Sequence, residues 1–323
     1  MTGRRGDAVR LRGVGKQFEL VHAVHEVGFA VPAGAVTALV GPTGAGKSTV
    51  LRMVLGLQKP TTGTVEIDVP GTGPGAVGAV LSPRGLHPAR TVRDHLRCYA
   101  PVAGASRRRV DAVLAETGLA TVAETVIAQL QPGQQTRLAL GTALLADPPL
   151  LVLDDPFTGA DGVERGWLHE LLRGHTARGG TVLISADKLA DVVATADHLV
   201  VLSEGAVVWQ GTPAKLRRGH PDRLVVAASP SIALATALAA RGYTDAVMRP
   251  DGRLAVAEAS EATIRAVAEA AQVRIGSIVA DPIHPDRVLA SLTKPRGHRH
   301  TVPAPQANPA GFAPAPTSYG MPR

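Results

Sequence analysis

Residues 41–49 read GPTGAGKST, a G-x-x-x-x-G-K-[ST] run with the apolar stretch VTALV (36–40) before it and helical spacing from Ser48 to Leu57 after it. Glycines let several backbone N–H groups converge on one anion, and the helix that follows adds its positive N-terminal end. The run therefore demands a strand, a tight turn and a helix in that order. Gly41, Gly44 and Gly46 supply the turn, with Pro42, Thr43, Ala45 and Thr49 completing the cradle. Lys47 is placed to bridge the β- and γ-phosphates of a nucleotide, and Ser48 to hold Mg2+. A second element, LLVLDD (150–155), reads as a buried strand that delivers the Asp154 carboxylate at its end, the usual way such a site orients Mg2+.

The surrounding pattern suits that reading. LLVLDD, TVLIS (181–185) and HLVVLSEGAVVWQG (198–211) read as further strands, while the stretches near 107–118, 134–146 and 162–178 carry helical periodicity. Strands alternating with helices imply an α/β fold with a largely parallel sheet covered on both faces. Near His220-Pro221 the pattern changes to strand–helix–strand–strand–helix–strand, the order of a small split βαβ unit. Its middle hairpin turns on Pro250-Asp251-Gly252, where Pro presets φ and Gly tolerates a positive one. A short helix at 285–292 is expected to close the unit. From Lys294 onward Pro, Gly and Ala dominate and periodicity stops, which reads as a disordered tail with solvated His298 and His300. The expected domains are thus 1–220, 221–293 and the tail 294–323.

Composition narrows the partners. The net charge of +7 invites a nucleic-acid partner, but aromatic residues are only 3% and no Lys/Arg block is interleaved with them. A generally basic surface with no nucleic acid bound is the expectation. The single cysteine, Cys98, excludes an internal disulfide and is expected to be a small buried apolar group. The opening MTGRRGDAVRLRG has no apolar core behind its charges, so no signal peptide is expected there. Nowhere do about 18 uncharged apolar residues run together, so no segment is expected to span a membrane. A cytoplasmic location follows.

Over about residues 8–215 the chain closely resembles the ATP-binding subunit of ABC transporters. VGKQF with VPAGAVTALVGPTGAGKST is similar to the family's opening, and places Phe18 where an aromatic ring stacks on adenine. GLQKPTTGTVEI and GLHPARTVRDHL resemble the stretches after the phosphate-loop helix and before the helical subdomain. LQPGQQTRLALGTALLADPPLLVLDDPFTGAD corresponds to signature, Walker B and D-loop in their usual order. The resemblance implies a P-loop NTPase of ABC type: a parallel-sheet core, an antiparallel subdomain and a helical subdomain. The small C-terminal α+β unit is similar to the tail of drug- and antibiotic-exporter ATP subunits. The implied cofactors are ATP and Mg2+. The implied partners are a separate transmembrane permease and a second ATP-binding subunit, in a homodimer or heterodimer at the inner face of the cell membrane. A P-loop kinase would leave the ordered motifs to coincidence.

Four positions depart from the family, all at the chemistry. Ser82 stands where a Gln touches Mg2+ and the attacking water. Gln131-Pro132-Gly133-Gln134 stands for Ser-Gly-Gly-Gln, which in the family reaches the γ-phosphate held by the partner subunit, and Pro132 has no N–H to give. Asp155 replaces a Glu that polarises water, keeping the charge with roughly 1.5 Å less reach. Asp187 replaces the switch histidine, and an ionised carboxylate there cannot donate to a γ-phosphate. The segment beginning at Lys188 makes Asp187 the expected N-cap of a helix, with the switch lost as a consequence. Slow hydrolysis driving export is the leading expectation. A non-hydrolysing regulatory module of the same type is the alternative, because Lys47, Ser48 and Asp154 keep the grip while the catalytic positions are altered.

Overall fold

The computed structural model describes residues 6–71, 73, 75–219, 222–281 and 285–293. The expectations placed on residues 1–5, on the boundary at His220-Pro221 and on the tail 294–323 lie outside them. The chain opens with strands β1 (Asp7–Phe18), β2 (Val21–Pro32) and β3 (Val36–Val40), helix α1 (Lys47–Val54), and strands β4 (Thr62–Ile67) and β5 (Val77–Val80). Helices α2 (Val92–Tyr99), α3 (Arg107–Glu116) and α4 (Pro132–Leu144) precede β6 (Leu150–Leu153), α5 (Gly162–Ala177), β7 (Thr181–Ala186) and α6 (Leu189–Val192). Next come β8 (His198–Ser203), β9 (Ala206–Gly211) and α7 (Pro213–Gly219). The remainder runs β10 (Arg223–Ser229), α8 (Ser231–Ala240), β11 (Ala246–Met248), β12 (Leu254–Ala257), α9 (Glu261–Ala270), β13 (Arg274–Asp281) and α10 (Pro285–Leu292).

The central sheet has the order β5-β6-β7-β3-β8-β9, parallel except for β9, which returns beside β8. Its inner strands are continuous apolar runs because both faces are covered. The period of two divides them cleanly between two cores. Val36, Ala38 and Val40 of β3, with Leu151 and Leu153 of β6 and Val182 and Ile184 of β7, face Leu140 of α4, Leu168 and Leu172 of α5 and Leu189 of α6. Leu39, Leu150, Val152 and Leu183 face the other way, onto Val50, Leu51 and Met53 of α1 and onto the β1–β2 hairpin. That hairpin, with β4, forms an antiparallel sheet of order β2-β1-β4. Helices α2, α3 and α4 enclose a third core around Leu96, Val113, Leu114 and Leu138. Thr91 and Ser106 start α2 and α3 by accepting from the Asp94 and Arg109 N–H groups.

Cys98 corrects an expectation: it is exposed. The inward stripe of α2 is Val92, His95 and Leu96, so position 98 falls on the opposite face, and the buried polar residue there is His95.

The last four strands form an antiparallel sheet of order β11-β12-β10-β13, with α8 and α9 packed on one face around Leu234, Leu238, Ile264 and Val267. Residues 250–252 make the β11–β12 turn, with the Asp251 carboxylate accepting from the Arg253 N–H at 3.1 Å. Helix α10 forms over the expected residues but packs elsewhere than on this sheet. Its Val288 and Leu289 enter the core of the central sheet, against α6, and the Ala190 N–H of α6 donates to Asp286 Oδ1 at 3.4 Å.

Candidate nucleotide-binding site

The sheet order sets the C-terminal ends of β6, β7 and β3 side by side, and these ends lead into Asp154–Asp155, Asp187 and the 41–46 loop. From β3 the chain turns through residues 41–46 into α1. Two glycines are obligatory in that turn. A Cβ on Gly41 would lie 2.2 Å from the Leu202 carbonyl oxygen. Gly46 has φ +96°, and a Cβ there would meet the Ala23 carbonyl at 2.7 Å. Lys47, the first helical residue, is only 6% exposed. Its ammonium donates to the carbonyls of Gly41 (2.8 Å) and Pro42 (2.9 Å), curling the loop around its own side chain. Gly44, Gly46, Lys47, Ser48, Thr49 and Thr43 line a cleft of about 860 Å3, with Gly41 and Ala45 buried beneath it.

At the end of β6, Asp154 is buried. Its Oδ1 accepts from Ser48 Oγ (3.1 Å) and from Ser185 Oγ (2.7 Å), the latter a fully buried residue of β7. Its Oδ2 is buried with no hydrogen-bond partner among the described residues. Burial of such an oxygen carries a cost unless something binds it. Asp155 follows with a left-handed backbone (φ +46°), donates its N–H to Ser185 Oγ at 2.9 Å and accepts from the Thr158 hydroxyl. Burial, with the nearby Asp187 and Asp154 charges, pushes the Asp155 carboxyl above its usual range despite the Thr158 hydrogen bond.

Asp187 departs from its expected place. The residue preceding α6 is Lys188, and no side chain caps that helix. The Asp187 carboxylate turns into the cleft instead, with Oδ1 2.6 Å from Lys47 Nζ and Oδ2 accepting from Thr43 Oγ1 at 2.8 Å. The cause is strand adjacency. Ala186 lies beside Val40, and its carbonyl accepts from the Gly41 N–H, so the next residue emerges over the loop. Partial burial alone would raise this carboxyl, but the hydrogen bonds from Lys47 and Thr43 outweigh it and hold it below its usual range.

Ser82 is exposed and lines the cleft, and its carbonyl accepts from Arg52 at 3.2 Å. Phe18 ends β1 at 41% exposure with Lys16 Nζ 5.0 Å from its ring centre, and does not line the cleft. Gln131, Gly133 and Gln134 cluster at the start of α4, where Gln134 Oε1 accepts from the Gln131 N–H at 3.0 Å. None of the three lines this cleft, although Gln135 does. Sequence reasoning missed Gln135, Thr158 and Ser185. The signal for Ser185 was a hydroxyl near the end of an otherwise apolar strand.

The sequence profile of the family described as "ABC transporter" matches residues 24–158. The "Nod factor export ATP-binding protein I" of Bradyrhizobium diazoefficiens is 35% identical over 223 residues, which span 66% of this chain and 73% of that protein. The chain belongs to the ABC transporter family. The protein of the same description from Burkholderia lata is 36% identical over 215 residues, 64% of this chain and 71% of the relative. A solved structure described as the ATP binding subunit of an ABC transporter superposes with a TM-score of 0.59 at 28% identity, covering 66% of this chain and 92% of that one. Within the ABC transporter family this chain is an ATP-binding subunit, and such subunits are generally ATPases. No described helix is long and apolar enough to cross a membrane.

Proposed function

We propose that this ABC subunit binds MgATP between the 41–49 loop and the ends of β6 and β7, and hydrolyses it slowly to drive export through a separate transmembrane permease. The buried, unpartnered Asp154 Oδ2 beside Ser48 carries the reading. Hard oxygen donors with one buried carboxylate oxygen left over fit a Mg2+ ion that keeps most of its waters. Ser48 and Asp154 would hold that ion, which neutralises charge on the phosphate oxygens when bound. Lys47 and the loop N–H groups bind the phosphates, and Ser185 orients Asp154 and the Asp155 backbone together.

Slow turnover has three supports in the chain's own residues. Asp155 is short, its carboxyl is raised above the usual range by burial, and it is held by Thr158. Ser82, at the cleft wall, replaces a longer amide and is too short to span the same gap directly. Pro132 withdraws an N–H from the segment expected to reach a partner's nucleotide. The Gln131, Gly133 and Gln134 cluster, apart from this cleft, suits a role towards a second ATP-binding subunit. A heterodimer with an intact partner would turn over faster per site than the homodimer. The exported cargo's binding site belongs to the permease, and the subunit works on the cytoplasmic side of the cell membrane. The relatives named as export subunits support the direction of transport.

Single-turnover hydrolysis with Mg2+ and ATP, native chain against Lys47→Ala, tests the reading. Slow phosphate release by the native chain and none by the variant is expected. Binding without release by the native chain would favour the regulatory module, and equal release by both would refute the site.

A further inference from the structure

The lysine on which a nucleotide's distal phosphates depend is already fully engaged. An ammonium has three N–H donors. Those of Lys47 meet the Gly41 carbonyl, the Pro42 carbonyl and Asp187 Oδ1, at 2.8, 2.9 and 2.6 Å. The second Asp187 oxygen accepts from Thr43 Oγ1. One carboxylate therefore takes, with two oxygens, the cation and hydroxyl that two oxygens of a phosphoryl group would take.

This placement is not a stray rotamer of a surface side chain. Strand β7 is in register with β3 through Ala186 and Val40, and the Gly41 N–H is bonded to the Ala186 carbonyl. Asp187 is held over the loop by the sheet itself. Its side chain is 40% exposed at the cleft, open to displacement by an incoming anion. A terminal phosphoryl group must either expel the carboxylate from Lys47 or lie beside it with like charges in contact. A diphosphate, held on the loop N–H groups at the start of α1, makes less demand on this end of the cleft.

We propose that Asp187 is a specificity-determining residue that stands in the terminal phosphoryl group's place on Lys47 and Thr43, so that the chain holds a nucleoside diphosphate more tightly than the triphosphate. This rests on the nucleotide site proposed above. It adds that a bound diphosphate is the favoured resting state and that triphosphate entry requires Asp187 to swing out.

Isothermal titration of the full chain with MgADP and with the magnesium complex of an imido analogue of ATP, which does not turn over, tests it. The native chain is expected to bind the diphosphate more tightly. Asp187→Asn removes the charge at nearly constant shape. It is expected to tighten the triphosphate analogue roughly tenfold, the Coulomb term being cut by solvent screening, and to leave the diphosphate within about threefold. Asp187→Glu, which keeps the charge, is expected to keep the native order. Asp187→Ser serves if the asparagine variant melts early. A native preference for the triphosphate, or equal tightening of both ligands by Asp187→Asn, overturns the proposal. Absence of binding of either nucleotide to the native chain overturns the nucleotide site itself, and this inference with it.

Discussion

Replacing Ser185 with alanine isolates the one hydroxyl that holds the two site carboxylates in their relative positions. Ser185 is fully buried in β7, donates to Asp154 Oδ1 at 2.7 Å and accepts from the Asp155 N–H at 2.9 Å. The substitution removes a hydrogen bond to a charged acceptor, worth about 1.5–3 kcal/mol, and strands a partly buried N–H at a cost of about 1 kcal/mol. Asp154 keeps its bond from Ser48, which places the expected loss near 3 kcal/mol rather than at the upper end of that sum. For a chain of this size such a loss lowers the melting temperature by roughly 4–5 °C. Urea denaturation followed by circular dichroism, without nucleotide, gives the free energy directly. Measured again in an Asp154→Ala background, the same change is expected to cost distinctly less, because one of its two partners is gone. A loss under about 1 kcal/mol in the native background, or an equal loss in both, would refute the assignment of Ser185 as the residue that couples the carboxylates.

Gly41→Ala is expected to destabilise by more than about 3 kcal/mol, beyond ordinary overpacking, because the added methyl would sit 2.2 Å from a backbone oxygen rather than a yielding side chain. Chemical denaturation reads it, and a change within about 0.5 kcal/mol would contradict the loop geometry. Acid sensitivity should come from three histidines. Burial lowers His95, His169 and His175 below 6.5, helped by Arg90, Arg173 and Arg178 respectively. The unfolded chain therefore binds protons first as pH falls below about 6.5, so stability is complete above that value and declines below it. Melting temperatures at pH 7.5 and 5.5 should show that fall, and a flat profile over this window would count against neutral burial of the three rings.

What the residues disclosed on their own depended on how local each feature's causes are. The 41–49 loop was legible because the glycine spacing, the lysine and the flanking strand and helix are all consecutive. The central strands were legible because burial on both faces writes itself as unbroken apolar runs such as VTALV and LLVL. The strand–helix order after residue 222 was readable from alternating periodicity and one proline–glycine turn. The partner of Asp187 was not. Thr43 lies 144 positions away, and only the β3–β7 pairing brings the two together, so the local reading of a helix cap had nothing to compete with it. Ser185 was hidden for the same reason, its role arising from the neighbouring strand end. Cys98 is the opposite case: the helical spacing of Val92, His95 and Leu96 already held the answer, and the residue's general preference for burial obscured it.

Helix α10 reaches past the small sheet to seat Val288 and Leu289 against α6, while Ser203 at the end of β8 donates to the Thr293 carbonyl. An engineered minimal cassette that stops after β9 or α7 would strip this cover. It would leave Leu189 and Val192 facing water one turn downstream of Asp187. Anyone trimming the protein for expression should therefore cut beyond residue 293, because α10 serves as a clasp on the segment that carries Asp187.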